Sequence, residues 1–363
     1  YGGGLIDPRT GEIFKGYVNL GSQRVRQDLL IAEGILAPYK PGADPALLTE
    51  AQQMALQRLR QLAAHEVGHA LGFAHNFAAS RAATGSVLDY PHPQISLGAD
   101  GQPRMKIAYD TGVGEWDKFI VAHAYGVFTP AQEQAALAKL RADIQAKGYS
   151  YVSDADARTL NSAHEAGLLW DVPGDPLLGL QQLLAVRQVA LANFAAGALP
   201  PGWQLGDAER RLVPIYLLHR YQAEAVVRLL GGNRYAYGLI GETPADAPPV
   251  TAAQQQQALD ALAGLLSTET LRLPDSVLRV MAPPSNEFSR SPEFFGTKMA
   301  PMFDPLQATA SASALIAQMA FDPARLNRLA WQHGKDANVP SVDAVFQSLL
   351  ADNWKASNGN TTT

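Results

Sequence analysis

Three histidines and a glutamate stand within eleven residues, HEVGHALGFAH from His65 to His75, at spacings that suit a metal ion. Residues four apart on a helix share a face, so His65 and His69 can aim both imidazoles at one ion, with Glu66 projecting beside it. A third ligand three residues past Gly72 requires the chain to leave the helix and turn back, and glycine enters the left-handed conformation without steric cost. His75 completes the set. Three neutral imidazoles leave a fourth position open, the pattern of a catalytic zinc rather than of a structural zinc held by four protein groups. Such an ion lowers the pKa of water from about 15.7 toward about 7 and polarises a carbonyl, so Glu66 can take the water's proton and pass it to a leaving amine. Five fixed positions weigh against ordinary helix histidines satisfied in a core. A ligand set can outlast catalysis, so the motif speaks for zinc binding before it speaks for turnover.

The elements that must position these residues are partly legible. Pro38 to Pro45 reads as a loop, followed by a long amphipathic pattern with Leu56, Leu59, Leu62 and Ala63 as its apolar stripe. That helix runs into the motif and ends at Gly72, which would seat the ligands on a rigid element. Upstream, Glu12 to Leu20 reads as a strand bounded by Thr10-Gly11 and Gly21. The start, YGGGLIDPRTG, lacks an initiator methionine and reads as processed or truncated, with further strands expected upstream.

Beyond the motif the pattern is helical almost throughout. Thr129-Pro130 with Gln132 makes an N-cap and capping box leading to Leu137, Leu140 and Ile144. Asp175-Pro176 opens a helix bearing Leu177, Leu180, Leu184, Leu191 and Phe194, and another spans about Asp207 to Gly231-Gly232 with Val213, Leu217, Tyr221, Ala225 and Leu229. Helices also fit Thr251 to Leu266, Pro323 to Trp331 and Val342 to Trp354, with proline-rich loops at Thr243 to Pro249 and Ala282 to Pro305. The class expected is α+β and predominantly helical: a catalytic core over 1–128 with a small, truncated N-terminal sheet and the zinc helix, and a large helical region over 129–363 packed on it.

The 363 residues carry a formal net charge of −5 and no basic run, which argues against a nucleic-acid partner. Without cysteine there are neither disulfides nor thiolate ligands, and redox chemistry says nothing of compartment. No apolar run is long enough for a membrane span, and no signal peptide is visible. The oligomeric state is not legible.

HEVGHALGFAH matches the HExxHxxGxxH signature of the metzincin metallopeptidases at every fixed position. Within that clan the chain resembles the bacterial zinc-dependent metalloproteases with a met-zincin module. The likeness rests on HEVGHALGFAHNFAAS, SVLDYPHP, the upstream DPRTGEIFKGYVNLGSQRVRQDLLIAEG, and the downstream VSDADAR, LLWDVPGDP and LLHRYQAEAVVRLLGG. It implies Zn2+ as cofactor, peptide or protein as substrate and an extracytoplasmic location. It also implies a methionine turn beneath the zinc, and the segment placed to supply it is Ser86 to Tyr90, where Leu88 stands in the methionine position. Leucine has similar volume and apolar character, so the floor should survive.

Tyr90 either donates a hydrogen bond to the oxyanion or packs under the site. Asp89 either orients a ligand histidine or caps the turn. His92 reads as a solvent-facing loop histidine, and His123, His164, His219 and His333 as structural. Asp154, Asp156, Asp171 and Asp175 either assemble a calcium site or serve as caps and loop contacts, with Arg158 pairing one of them. Met299 and Met302 read as packing fillers rather than a displaced turn. Three functions compete: a peptidase binding its substrate along an edge strand such as Glu12 to Leu20; a weak or inactive zinc-holding module for binding or scaffolding; and a zinc hydrolase acting on other bonds.

Overall fold

The computed structural model describes residues 1–82, 85–197, 199–238, 247–284 and 290–351. A hairpin of β1 (Gly2–Ile6) and β2 (Ile13–Val18) leads into α1 (Ser22–Leu36) and the long α2 (Ala46–Ala70). Two short strands, β3 (Ser96–Leu97) and β4 (Pro103–Arg104), form a second hairpin. Then follow α3 (Glu115–Tyr125), α4 (Glu133–Ala146), α5 (Asp154–Ala157), α6 (Pro176–Gly197), α7 (Ala208–Tyr216) and α8 (Arg220–Val227). The remainder comprises α9 (Ala252–Leu265), α10 (Thr268–Leu271), α11 (Asp275–Leu278), α12 (Pro305–Ala320), α13 (Pro323–Lys335) and α14 (Val342–Phe346), which continues as a π-helical turn, Gln347–Ala351. The predominantly helical α+β class expected from the sequence is the one observed.

Where the sequence predicts one upstream strand there are two, antiparallel, with Gly2 opposite Val18 and Gly4 opposite Gly16. Three consecutive glycines hide β1 from a propensity reading, since glycine has no side chain to pack on a pleated face. They are needed because the hairpin lies close on α2: a Cβ on Gly2 would overlap the Glu66 carbonyl oxygen, and one on Gly16 would lie 3.1 Å from Ala70 Cβ.

The buried face of α2 is not the leucine stripe. Leu56 is half exposed, whereas Ala51, Met54, Ala55, Arg58, Gln61, His65 and Gly68 face inward. Polar side chains occupy the inner face near the motif because they hydrogen-bond there, so hydrophobic periodicity points to the wrong side.

The helix expected from Asp207 to Gly231 is broken into α7 and α8 by a turn at Leu217 to His219. Pro214, inside α7, lacks the N–H that would bond one turn back, and the helix ends two residues later. Expected caps are in place elsewhere: Asp175 accepts from Leu177 N at 2.8 Å, and Thr251 from Gln254 N at 3.3 Å. Gln132, not Thr129, is the residue flanking α4. Residues 352–354 of the last expected helix, and residues 243–246 and 285–289 of the two proline-rich loops, lie outside the described residues. Among the helices without a predicted counterpart, which also include α3 and the short α5, α10 and α11, α1 and α12 bury alanines at key contacts, Ala32, Ala308 and Ala312, and alanine carries little periodic signal.

The largest apolar core joins α1, α2, α6, α7 and α12 around Ile35, Met54, Leu183, Phe194 and Tyr216, so segments on both sides of residue 128 share it. A second core lies among α8, α9, α12 and α13. A small third cluster, Phe77, Ala78, Val152, Ala157 and Ala166, sits against the histidine motif with Tyr90 packed on it. Among the described residues no helix is long and apolar enough to cross a membrane.

Candidate metal centre

The last two turns of α2 carry His65, Glu66 and His69, and the chain leaves the helix through a Schellman turn. Gly72 adopts φ +89°, its N–H bonds the His69 carbonyl at 2.9 Å, and Phe73 N–H bonds the Gly68 carbonyl at 3.1 Å. Those two bonds satisfy orphan carbonyls of the helix end and swing His75 back toward it. His69 Nε2 lies 3.0 Å from His65 Nε2 and 3.1 Å from His75 Nε2. Tetrahedral ligation at about 2.0–2.1 Å spaces nitrogens by about 3.3 Å, so the three atoms fit around one zinc-sized ion. Among the described residues these histidines are the one group of three or more side chains placed to share a metal.

Each Nδ1 has a partner. His65 Nδ1 meets the Val87 carbonyl at 2.6 Å, His69 Nδ1 the Phe73 carbonyl at 2.8 Å, and His75 Nδ1 the Asp154 carboxylate at 2.9 Å. Partners that can only accept keep the proton on Nδ1 and leave Nε2 as the lone-pair donor. Burial pushes the His65 imidazole down to about 3 and lowers that of His75 as well, which favours the neutral, ligating form. Glu66, also buried, points its carboxylate toward the start of β1, where Oε1 lies 3.5 Å from the Tyr1 main-chain nitrogen.

The floor is the turn Ser86–Tyr90. Leu88, 1% exposed, packs against Gly68 of α2, with its carbonyl accepting from Asn76 N at 3.0 Å. Asp117, in the first turn of α3, accepts from Val87 N at 2.9 Å, from Gly114 N at 2.6 Å and from the Ser86 hydroxyl. Gln61, one turn before His65, donates to the Val87 carbonyl at 3.1 Å, so a single carbonyl holds both side chains. Asn76, fully buried, donates to Ser150 O at 2.8 Å and accepts from Ala78 N and Val152 N.

Tyr90 lies against the site. Its ring centroid is 5.2 Å from that of His65 and 5.0 Å from that of His75, and its hydroxyl accepts from Arg158 at 3.3 Å. Asp89 pins the turn, accepting from Ser80 N at 3.0 Å and Tyr90 N at 2.6 Å, as a cap does. His92 departs from expectation: it is buried, its Nδ1 meets the Pro93 carbonyl at 2.7 Å, and burial pushes its pKa down to about 4.

The four downstream aspartates do not converge. Asp154 pairs with His75 and Arg158, Asp156 accepts from the Tyr237 hydroxyl, Asp171 accepts from the Ser80 hydroxyl, and Asp175 caps α6. Met299 and Met302 are half exposed and fill no core gap. Asn76, Gln61 and Asp117 escaped the sequence reading. Asn76 directly follows the third histidine inside the matched phrase, the one signal that could have singled it out.

A helix bearing two ligands, a left-handed glycine exit, a third histidine and a tight apolar turn beneath them define a metal site of the metzincin kind. The chain belongs to the Met-zincin family, whose model matches residues 48–360. No curated protein and no solved structure matches it.

Proposed function

We propose that this chain is a zinc-dependent metallopeptidase in which His65, His69 and His75 hold the ion and Glu66 is the base. The observation that carries the proposal is the convergence of three Nε2 atoms whose Nδ1 atoms are all engaged, with Glu66 on the same turn of helix. Family membership supports the reaction class. Zinc supplies, when bound, Lewis-acid polarisation of the scissile carbonyl and of water.

The chain supplies the rest. Glu66 accepts the proton of the attacking water and returns it to the leaving amine, a role worth about 10²–10⁴-fold for a positioned general base. The hairpin of β1 and β2 lies along α2 beside Glu66, whose Oε1 is 3.5 Å from the main-chain nitrogen of Tyr1, just ahead of β1. An extended peptide adding to an edge of this hairpin would be read through its backbone. Tyr90 packs under the histidines with its hydroxyl oxygen accepting from Arg158, which leaves the phenol proton free to be donated to an oxyanion. Residues 1–128 are the catalytic core in this reading and 129–363 a helical region packed on it, with an extracytoplasmic site of action.

The test pairs zinc content with cleavage of a peptide library by wild type and Glu66→Gln. One zinc per chain in both, with cleavage lost about 10²-fold or more in the variant, is the expected result. Leu88 in the methionine position favours the other reading, a zinc-holding module without turnover, and bound zinc with no cleavage by wild type would establish it.

A further inference from the structure

Of the three ligand histidines, His65 and His69 rest on main-chain carbonyls of nearby segments, Val87 and Phe73. His75 alone rests on a carboxylate, and that carboxylate, Asp154, comes from 79 residues further along the chain. A second side chain locks the pair. Arg158, one turn after Asp154, donates from Nε to Asp154 Oδ1 and from Nη2 to the Tyr90 hydroxyl at 3.3 Å. Its guanidinium lies 5.2 Å from the Phe77 ring centroid, and Phe77 stacks on His75 at 4.9 Å.

The segment carrying both residues is itself fixed from below. Ser153 caps α5, its hydroxyl accepting from Asp156 N at 3.4 Å. Two buried arginines from outside the segment bind its carbonyls: Arg228 donates to Ala157 O at 2.7 Å and to Gly167 O, and Arg325 of α13 donates to Leu160 O at 2.8 Å. Helix α5 has only four residues and could not hold a carboxylate in place alone.

We propose that Asp154 and Arg158 are positioning residues of the metal site: Asp154 fixes the tautomer and ring plane of His75 and strengthens its Nε2 as a donor, while Arg158 holds Asp154 and Tyr90 in register. The proposal rests on the reading of the three histidines as zinc ligands. A carboxylate behind an imidazole makes it a better donor than a carbonyl does, and loss of such a partner typically costs about 10–100-fold in metal affinity.

The experiment measures the zinc dissociation constant by chelator competition for the whole chain as wild type, Asp154→Ala, Asp154→Asn, Arg158→Ala and Arg158→Lys. Apo-state thermal unfolding and the visible spectrum of the cobalt-loaded forms are recorded alongside. Asp154→Ala should weaken zinc about 10–100-fold, Asp154→Asn less, and Arg158→Ala less again with partial rescue by lysine. The cobalt spectrum should shift in Asp154→Ala while the apo melting temperature stays near that of wild type. Wild-type affinity and an unchanged cobalt spectrum in both Asp154 variants would overturn the proposal with the ligand assignment intact. A wild-type chain that binds no zinc would overturn the ligand assignment instead. An apo melting temperature that falls in Asp154→Asn with zinc affinity unchanged would reduce the pair to a structural contact.

Discussion

Leu88 fills the hollow that Gly68 leaves in the buried face of α2: a Cβ on Gly68 would lie 2.7 Å from Leu88 Cδ2 and 3.2 Å from its Cγ. The helix that carries the ligands and the turn beneath them therefore approach as closely as a side chain on only one of them permits. With Leu88 1% exposed, its rotamer has nowhere to retreat.

Gly68→Ala should then overpack the floor and cost about 1–3 kcal/mol, while Leu88→Met, nearly volume-conserving, should cost under about 1.5 kcal/mol. Leu88→Ala should cost about 2–5 kcal/mol. Urea unfolding of the apo chain measures all three. A Gly68→Ala midpoint equal to wild type would mean that the turn and helix are not in contact as described.

Asn76 gives a second handle on the same assembly. Its amide joins Ser150, Val152 and Ala78 while its backbone joins Leu88. Asn76→Ala leaves the Ser150 carbonyl and the Val152 N–H without their partner, at about 1–3 kcal/mol for each group left buried and unpaired. The expected outcome is a drop in unfolding midpoint together with weaker zinc retention, since the loop bearing His75 is tethered through this side chain. Zinc affinity unaffected by a large loss of stability would separate the tether from the site.

How much of this was legible varies with the physics that encodes each part. The ligand triad and its glycine exit lie in one stretch, 65–75, where spacing carries the geometry, whereas the floor position at Leu88 was legible only through the resemblance to the metzincins. The partners that hold the triad were not legible. Gln61 and Asp117 look like ordinary surface residues in sequence, and only the folded helix face shows them pointing inward. Asp154 reads as a cap or a calcium ligand because nothing local links residue 154 to residue 75, whereas the expected pairing of Arg158 with one of the aspartates is observed at Asp154. β1 was hidden by its glycines, which suit a close approach to α2 rather than strand formation, and the single helix expected after Asp207 divides because Pro214 cannot propagate it.

His92 makes stability depend on acid. Its pKa of about 4 in the folded chain lies below the ordinary histidine value of about 6.5, so only the unfolded chain gains a proton between those limits. Stability should be full above pH 6.5 and fall as the pH drops toward 4, by about 3 kcal/mol from this residue. His92→Gln should flatten that fall, read as the difference in urea midpoint between pH 7 and pH 4.5. Equal slopes for variant and wild type would contradict the burial of a neutral imidazole.

Asp171 works in the opposite direction. Burial pushes its carboxyl up to about 6, and the neighbouring buried Asp89 has its carboxyl raised as well, by burial first and then by the charge of Asp171. The folded chain therefore binds a proton more readily than the unfolded one, so the charged form costs stability above pH 6 and the cost fades as the pH falls toward 4. Asp171→Asn keeps an oxygen for the Ser80 hydroxyl and removes the charge. It should raise the melting temperature at pH 8 and change it less at pH 5; a variant less stable than wild type at pH 8 would show that the charge is compensated.

The bond between His75 and Asp154 spans 79 residues, and this sets an order of events during synthesis. All three ligands leave the ribosome well before the carboxylate that steadies the third, and the arginines that anchor that carboxylate, Arg228 and Arg325, come later still. If these histidines hold a metal, as proposed, one captured early would sit in an unfinished cage, and its escape rate from a nascent or unravelling chain would gauge whether the distal helices have docked.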